Sequence, residues 1–172
     1  RFLNLRETAT GEVHIGLVGK YDLQDAYKSI LESLSHAATY NHRKIVISFI
    51  NSEFLLPENL SEKLDGQDGL VICPGFGQRG IEGKILAVEY ARTHDVPCLG
   101  ICLGMQMMVI EFARNVLGYA DANSSEMDAQ TKHNVIDLME DQKNVSNLGG
   151  TMRLGAYDCE LEADSRVAAI YG

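Results

Sequence analysis

The sequence predicts an α/β protein with a doubly wound, mainly parallel sheet and helices on both faces. Apolar segments typical of buried strands lie at 13–19, 45–50 and 69–73, and a fourth ends at Ile101. Segments with apolar residues at helical spacing separate them. Strands that alternate with helices in this way favour a parallel sheet.

The first third of the chain supplies a linker, two strands and a helix. Residues 1–12 are polar and lack periodicity, as in a linker that arrives from an upstream domain. The strand at 13–19 precedes an amphipathic helix with Asp22 as its predicted cap and an apolar face of Leu23, Tyr27, Ile30, Leu31 and Leu34. The segment 45–50 is continuously apolar and β-branched, which predicts a strand covered on both faces.

The middle of the chain adds two further strands, each followed by a glycine-rich turn and a helix. A polar connection at 53–64, with a short helix after Pro57, leads to the strand at 69–73. The turn at 74–80 precedes a helix with apolar residues at Ile81, Ile85, Val88 and Ala91. The next strand ends at a second turn, 100–104, and its helix carries Met107, Met108, Ile110, Phe112 and Ala113.

The pattern changes after Leu117-Gly118, where residues 119–134 are polar and rich in turn formers. Short strand-like segments are predicted at 135–139, 152–154 and 159–161, followed by a final helix at 165–171.

Composition excludes several functional classes. The net charge of −9 and pI of about 4.9 argue against binding nucleic acid or an anionic membrane surface. No apolar stretch approaches the roughly 20 residues that span a bilayer, and the N-terminus is too mixed for a signal peptide. The four cysteines lack the spacing of a metal site, so we expect no metal, reduced thiols and a cytoplasmic location.

Cys102 is the candidate nucleophile. It lies between Gly100 and Gly104 where a strand passes into a helix, the context of a nucleophile elbow. The free N–H groups and partial positive charge of the helix N-terminus favour an anion there, and the N–H of Leu103 is placed to donate to an oxyanion. A buried cysteine at a tight junction is the structural alternative.

Two glycine-rich turns therefore follow neighbouring predicted strands. Functional sites in such sheets lie beyond the carboxyl ends of the strands. We expect the turns at 74–80 and 100–104 to face each other across one crevice, which strengthens the functional interpretation of Cys102.

Several motifs resemble a known family. Residues 100–106, Gly-Ile-Cys-Leu-Gly-Met-Gln, are similar to the nucleophile signature of class I (triad) glutamine amidotransferases. Other stretches resemble the amidotransferase domain of the CTP synthase family, namely 15–21, 25–29, 77–84, 122–126 and 148–155. The resemblance extends from about residue 13 to the end and implies the flavodoxin-like fold of these amidotransferases, with the nucleophile elbow after a central strand.

The resemblance implies a glutaminase that supplies ammonia for the ATP-dependent amination of UTP to CTP, a ligase reaction of pyrimidine biosynthesis. By analogy, Cys102 attacks glutamine and forms a thioester, while the N–H groups of Leu103 and Gly75 hold the oxyanion. Glutamine would be bound by Gly75, Leu103, Gly104, Met105, Gln106 and Glu126. On the residues alone, Glu126 is better explained as a turn cap, and Gln106 as a solvated residue of the first helical turn.

The chain departs from the family at two places. The family usually has Pro-Gly-Gly-Phe-Gly where this chain has Cys-Pro-Gly-Phe-Gly at 73–77, and Pro74 has no N–H to donate. The family's catalytic histidine and glutamate lie beyond the equivalent of Gly172. None of the five histidines matches them, and each is expected to be solvated or structural: His14, His36, His42, His94 and His133. We therefore expect domain 13–172 to lack its C-terminal part and to be inactive alone.

Cofactors and partners are also implied by the resemblance. The full enzyme is expected to use ATP and Mg²⁺, with none bound in this domain, which has no P-loop. GTP is the expected activator, with Phe76, Arg79, Glu82 and Arg153 as candidate contacts. A surface ion pair between Arg79 and Glu82 is the alternative. Expected partners are L-glutamine, an upstream ligase domain joined through residues 1–12, and further copies in a homo-oligomer, a tetramer in the family.

Two other functions remain open from sequence. One is another cysteine hydrolase of the same fold, similar to γ-glutamyl hydrolases, which would act alone. The other is a non-catalytic regulatory domain that keeps the fold without a complete triad.

Overall fold

A parallel sheet carries the candidate site. The computed structural model describes residues 2–21, 24–139 and 155–171. The chain divides into two compact units, residues 1–137 and 138–172. The four parallel strands of the first unit have the order β2-β1-β3-β4, and they are β1 (Glu12–Gly19), β2 (Lys44–Asn51), β3 (Gly69–Ile72) and β4 (Cys98–Gly100).

Helices cover both faces of this sheet, as predicted. The described helices are α1 (Phe2–Glu7), α2 (Lys28–Tyr40), α3 (Leu60–Leu64), α4 (Ile81–Thr93), α5 (Leu103–Asn115) and, in the second unit, α6 (Arg166–Tyr171). Leu17 of β1 belongs to the cluster that contains Ile30 and Leu34 of α2. The next residue, Val18, belongs to the cluster that contains Val88 of α4. Successive side chains of a strand point to opposite faces, so the two helices lie on opposite sides.

Strand β2 differs from its prediction. Its apolar sequence predicts cover on both faces, but its residues 45–48 are only partly buried and Phe49 is 45% exposed. The reason is its place at the edge of the sheet, beside β1 alone among the described strands. A continuous apolar segment does not by itself distinguish an edge strand from a central one.

The first elements also differ in detail. Helix α1 occupies part of the predicted linker. Helix α2 begins at Lys28 after a 3-10 turn at Gln24–Tyr27, and the predicted cap Asp22 lies outside the described residues. The hydroxyl of Tyr27 accepts hydrogen bonds from the N–H groups of Lys20 and Tyr21, at 3.1 and 3.3 Å. This contact ties the 3-10 turn to the end of β1.

The connection at 53–64 forms as predicted, with 3-10 turns at Ser52–Phe54 and Pro57–Asn59 before α3. The strand predicted at 135–139 is shorter, β6 (Asn134–Ile136), and pairs in parallel with the unpredicted β5 (Asn123–Ser124). The segment 152–154, also predicted as a strand, lies outside the described residues. The segment 159–161 forms no strand, and its residues are exposed to solvent.

The final helix is confirmed as α6, where the hydroxyl of Ser165 accepts a hydrogen bond from the N–H of Ala168 at 3.0 Å. Among the described residues, no helix combines the length and apolar character needed to cross a bilayer.

Candidate active site

Cys102 occupies the corner between β4 and α5. Its backbone angles are φ 55° and ψ −114°, a combination that residues with a side chain rarely adopt. Its side chain is exposed. The thiol thus lies outside the core, at the strand-to-helix corner where the sequence predicts it. Strand β4 is the outermost strand of the described sheet, whereas the resemblance implies a central one.

The flanking glycines permit close backbone contacts. A Cβ on Gly104 would lie 1.9 Å from the carbonyl oxygen of Ile72, so only glycine lets α5 begin against the end of β3. A Cβ on Gly100 would lie 2.6 Å from the backbone nitrogen of Met105. These two contacts fix the corner that presents Cys102.

The N-terminus of α5 points its backbone N–H groups towards this corner. The N–H of Gln106 donates to the carbonyl oxygen of Cys102 at 3.2 Å, a hydrogen bond with the four-residue spacing of an α-helix. Leu103, the first residue of α5, is buried and its N–H precedes the hydrogen-bonded turns. Negative charge at Cys102 or on a bound oxyanion is therefore favoured by the positive end of the helix.

The turn at 74–80 leaves the neighbouring strand. Ile72 of β3 and Gly100 of β4 are partners in register, and the N–H of Ile101 donates to the carbonyl of Ile72 at 3.0 Å. Both glycine-rich turns therefore leave adjacent strands at the same edge of the sheet, as predicted. Gly75 is buried, whereas Phe76 is 75% exposed.

Two buried lysines hold this turn. The Nζ of Lys20 donates to the carbonyl oxygens of Phe76 and Gly77, the latter at 2.9 Å. The Nζ of Lys84 donates to the carbonyl of Cys73. Lys20 is 1% exposed and Lys84 is 0% exposed. The backbone is thus anchored on both sides of Gly75 to ammonium groups inside the protein.

Burial dominates the electrostatics of both lysines. It lowers the pKa of Lys84 to about 8, an effect that the neighbouring thiols Cys73 and Cys102 oppose. It also lowers the pKa of Lys20, with a further decrease from Arg79 and an opposing increase from Glu53 and Glu126. Burial raises the pKa of Cys73 to about 11, so this thiol is protonated at neutral pH.

Sequence reasoning missed both lysines, although one signal was present. Lys84 falls on the apolar face of α4, at the spacing of Ile81, Ile85 and Val88. A charged residue on a buried helix face needs polar partners inside the protein, and here the partner is a turn carbonyl.

A third segment approaches the turn. The side-chain amide of Gln78 donates to the carbonyl of Met127 at 2.8 Å, which joins the turn to the loop that carries Glu126. The N–H of Glu126 donates to the hydroxyl of Ser124 at 3.2 Å. The side chain of Glu126 is exposed, two residues after β5.

Comparison with known proteins identifies the family. The model of the family described as glutamine amidotransferase class-I matches residues 22–171. The chain belongs to the class-I glutamine amidotransferases. This amidotransferase is 66% identical over 171 residues to the CTP synthase of Bacteroides fragilis and 61% identical over 174 residues to that of Bacteroides thetaiotaomicron. These alignments cover 99% and 100% of the chain but 32% of each relative.

A solved structure supports the same fold. The glutaminase domain of Trypanosoma brucei CTPS with bound acivicin superposes with a TM-score of 0.71 at 38% identity, covering 77% of the amidotransferase and 52% of that chain. The amidotransferase spans about a third of the length of the curated relatives it matches. The predicted fold class is confirmed.

Two of the candidate GTP contacts, Arg79 and Glu82, already have partners. Arg79 forms an ion pair with Glu53, and Glu82 forms one with Arg114 at 3.1 Å. The alternative pairing of Arg79 with Glu82 is wrong, because each residue finds its partner on another element. Phe76 is free of the core, and Arg153 lies outside the described residues of the amidotransferase.

Two histidines have structural partners, as expected. His94 stacks on Tyr90 with ring centroids 4.0 Å apart, and its Nδ1 lies 2.9 Å from the Tyr90 carbonyl oxygen. His133 stacks on Tyr119 at 4.4 Å and pairs with Asp121. These contacts give both imidazole rings structural roles in the amidotransferase.

Proposed function

We propose that the chain hydrolyses glutamine through Cys102. The sulfur attacks the amide carbon, the C–N bond breaks, and ammonia leaves with an added proton; water then cleaves the thioester and releases glutamate. The observation that carries the proposal is the exposed thiol, held in a strained backbone conformation at the N-terminus of α5. The base that accepts the thiol proton is the catalytic histidine that the family resemblance implies.

Backbone and side-chain groups around the thiol take the remaining roles in this proposal. The N–H groups of Leu103 and Gly75 stabilise the oxyanion, and Pro74 contributes none. Glutamine lies against the start of α5, at Gly104, Met105 and Gln106. Exposed Glu126 provides a negative charge for the substrate ammonium.

We further propose that the ammonia serves the amination of UTP to CTP. The named CTP synthase relatives support this, since the chain matches about a third of their length and the rest can supply the ligase domain. In this proposal residues 1–12 link that domain to the amidotransferase at 13–172, ATP and Mg²⁺ act in the ligase domain, and the enzyme is a cytoplasmic homo-oligomer such as a tetramer.

Labelling with 6-diazo-5-oxonorleucine tests the glutaminase proposal. The full-length protein that contains the chain is incubated with this glutamine analogue, and peptides are mapped by mass spectrometry. We expect the label on Cys102, because the analogue places its electrophilic carbon where the glutamine amide carbon would lie. Excess glutamine should slow the labelling.

The exposed thiol of Cys159 provides the matched control. The variant Cys159→Ala should be labelled at the wild-type rate, while Cys102→Ala should take up no label. A label on another residue, or none on the wild type, would refute the glutaminase assignment and favour a non-catalytic domain.

We propose that GTP activates the enzyme through Phe76, Arg79, Glu82 and Arg153. Arg79 is exposed and belongs to the same turn as Gly75, so an anionic ligand that draws it away from Glu53 also acts on that turn. Arg79→Ala should reduce the activation of glutaminase turnover by GTP about tenfold, the value of one charge-assisted contact. The measurement is kcat with and without GTP.

Arg43 supplies the control for this variant, since its guanidinium donates to the carbonyl of Thr10 at the far end of β2. Arg43→Ala should respond to GTP as the wild type does. An unchanged GTP response in Arg79→Ala would remove Arg79 from the effector site.

A further inference from the structure

The backbone around Gly75 is held by hydrogen bonds from two buried ammonium groups. One belongs to Lys20, the residue that follows β1, and the other to Lys84 near the start of α4. Among the described residues, neither ammonium has a carboxylate within the 4.0 Å of an ion pair. Their hydrogen bonds go to carbonyls of residues 73, 76 and 77 instead.

Two buried charges of the same sign are costly to the folded state. After the larger effect of burial, the charge of Lys20 also lowers the pKa of Lys84. Apolar side chains of similar length would pack in these places without that cost. The arrangement therefore suggests a role for the ammonium groups beyond the stability of the core.

The hydrogen bonds determine the direction of the peptide units. In a trans peptide the carbonyl of one residue and the N–H of the next point in opposite directions. Because Lys20 draws the carbonyls of Phe76 and Gly77 inwards, the N–H groups of Gly77 and Gln78 point away from it. Lys84 fixes the carbonyl of Cys73 at the other end, so Pro74 and Gly75 span two anchored points.

The side chain of Lys20 packs directly against the backbone of Gly75. A Cβ on Gly75 would lie 2.6 Å from Cε of Lys20, so the lysine side chain fills the space that any other residue would need. The same lysine thus sets both the direction of the following peptides and the path of the backbone at Gly75.

We propose that Lys20 and Lys84 are positioning residues that hold residues 73–77, the start of the turn and the residue before it, in the conformation needed to stabilise the oxyanion. This inference rests on the proposed glutaminase function. The lysines act on the reaction through the backbone of the turn, whose carbonyl groups accept their hydrogen bonds. Replacing either lysine should reduce the stabilisation of the transition state more than it reduces the affinity for glutamine.

The test distinguishes a defect in the turn, measured by kcat, from a defect at the thiol, measured by its rate of alkylation. In the full-length protein, Lys20→Met and Lys84→Met should lower kcat for glutamine hydrolysis about 10- to 100-fold, the scale of a displaced oxyanion donor, with KM changed less than about threefold. Iodoacetamide reacts with the thiol without using the oxyanion site. Its rate at Cys102 should therefore change less than about threefold in Lys20→Met. In Lys84→Met the rate should fall less than kcat does, since the Lys84 ammonium also interacts with the Cys102 thiol.

Lys63 provides the matched control, because it is exposed and pairs only with neighbouring Glu62 in the described structure. Lys63→Met should leave kcat and the iodoacetamide rate unchanged. Folded lysine variants with wild-type kcat would overturn the inference, as would equal losses of kcat and iodoacetamide rate, which would place the defect at the thiol.

A third variant decides the matter if neither lysine variant folds by circular dichroism. Gly75→Ala keeps its N–H but displaces the end of Lys20, so kcat should again fall about tenfold or more. Wild-type kcat in Gly75→Ala would overturn the inference. Failure of the wild type itself to hydrolyse glutamine or to be labelled at Cys102 would instead refute the proposed function.

Discussion

Cys102→Ala is expected to lower kcat for glutamine hydrolysis at least about 10⁴-fold, because no thioester can form without the sulfur. The oxyanion donors and the substrate contacts remain, so KM should change little in a variant with residual turnover. Steady-state release of glutamate by the full-length protein measures the effect. Turnover above about one hundredth of the wild-type value would show that another residue is the nucleophile.

The same position allows a sharper test through stability. At φ 55° and ψ −114°, a residue with a side chain carries backbone strain that glycine avoids. Cys102→Gly should therefore raise the free energy of unfolding by about 1 kcal/mol, after allowing for the greater freedom of glycine in the unfolded chain. Denaturant unfolding measures this, with Cys102→Ala as the strained reference. A Cys102→Gly variant less stable than Cys102→Ala would contradict the strain argument.

The strands and helices of the sheet could be predicted because their signals are local. The apolar segments of β1 and β3 and the helical spacing of α4 and α5 each lie within one continuous stretch of sequence. The nucleophile elbow is equally local, since its two glycines and Cys102 lie within the five residues 100–104. Such local patterns do not show which strands pair with each other. For example, β2 has the composition of a central strand but lies at the edge of the sheet.

The contacts around the thiol were harder to predict because they join distant segments. Lys20 and Lys84 meet the turn from two different elements, and Gln78 reaches Met127 across 49 residues. Arg79 and Glu82 are close in sequence, yet their partners Glu53 and Arg114 lie 26 and 32 residues away. Strand β5 has two polar residues and pairs with β6 without an apolar pattern.

Gly104→Ala is expected to cost both stability and activity. The added Cβ would lie 1.9 Å from the carbonyl oxygen of Ile72 and 2.7 Å from its carbon, and neither backbone atom can move without shifting β3. The start of α5 must therefore move away, which should lower the free energy of unfolding by about 1–3 kcal/mol. The same movement displaces Cys102 and the N–H of Leu103, so kcat should fall about 100-fold even in the folded variant.

Gly66→Ala separates this steric effect from the general cost of replacing a glycine. Gly66 has φ 79° and no atom within 4 Å of an added Cβ, so only left-handed strain of about 1 kcal/mol is expected. It follows α3, away from the corner that carries Cys102, and kcat should be unchanged. Denaturant unfolding and glutamate release, measured on both variants, give the comparison. Gly104→Ala with wild-type kcat would mean that the contact between α5 and β3 does not position the thiol.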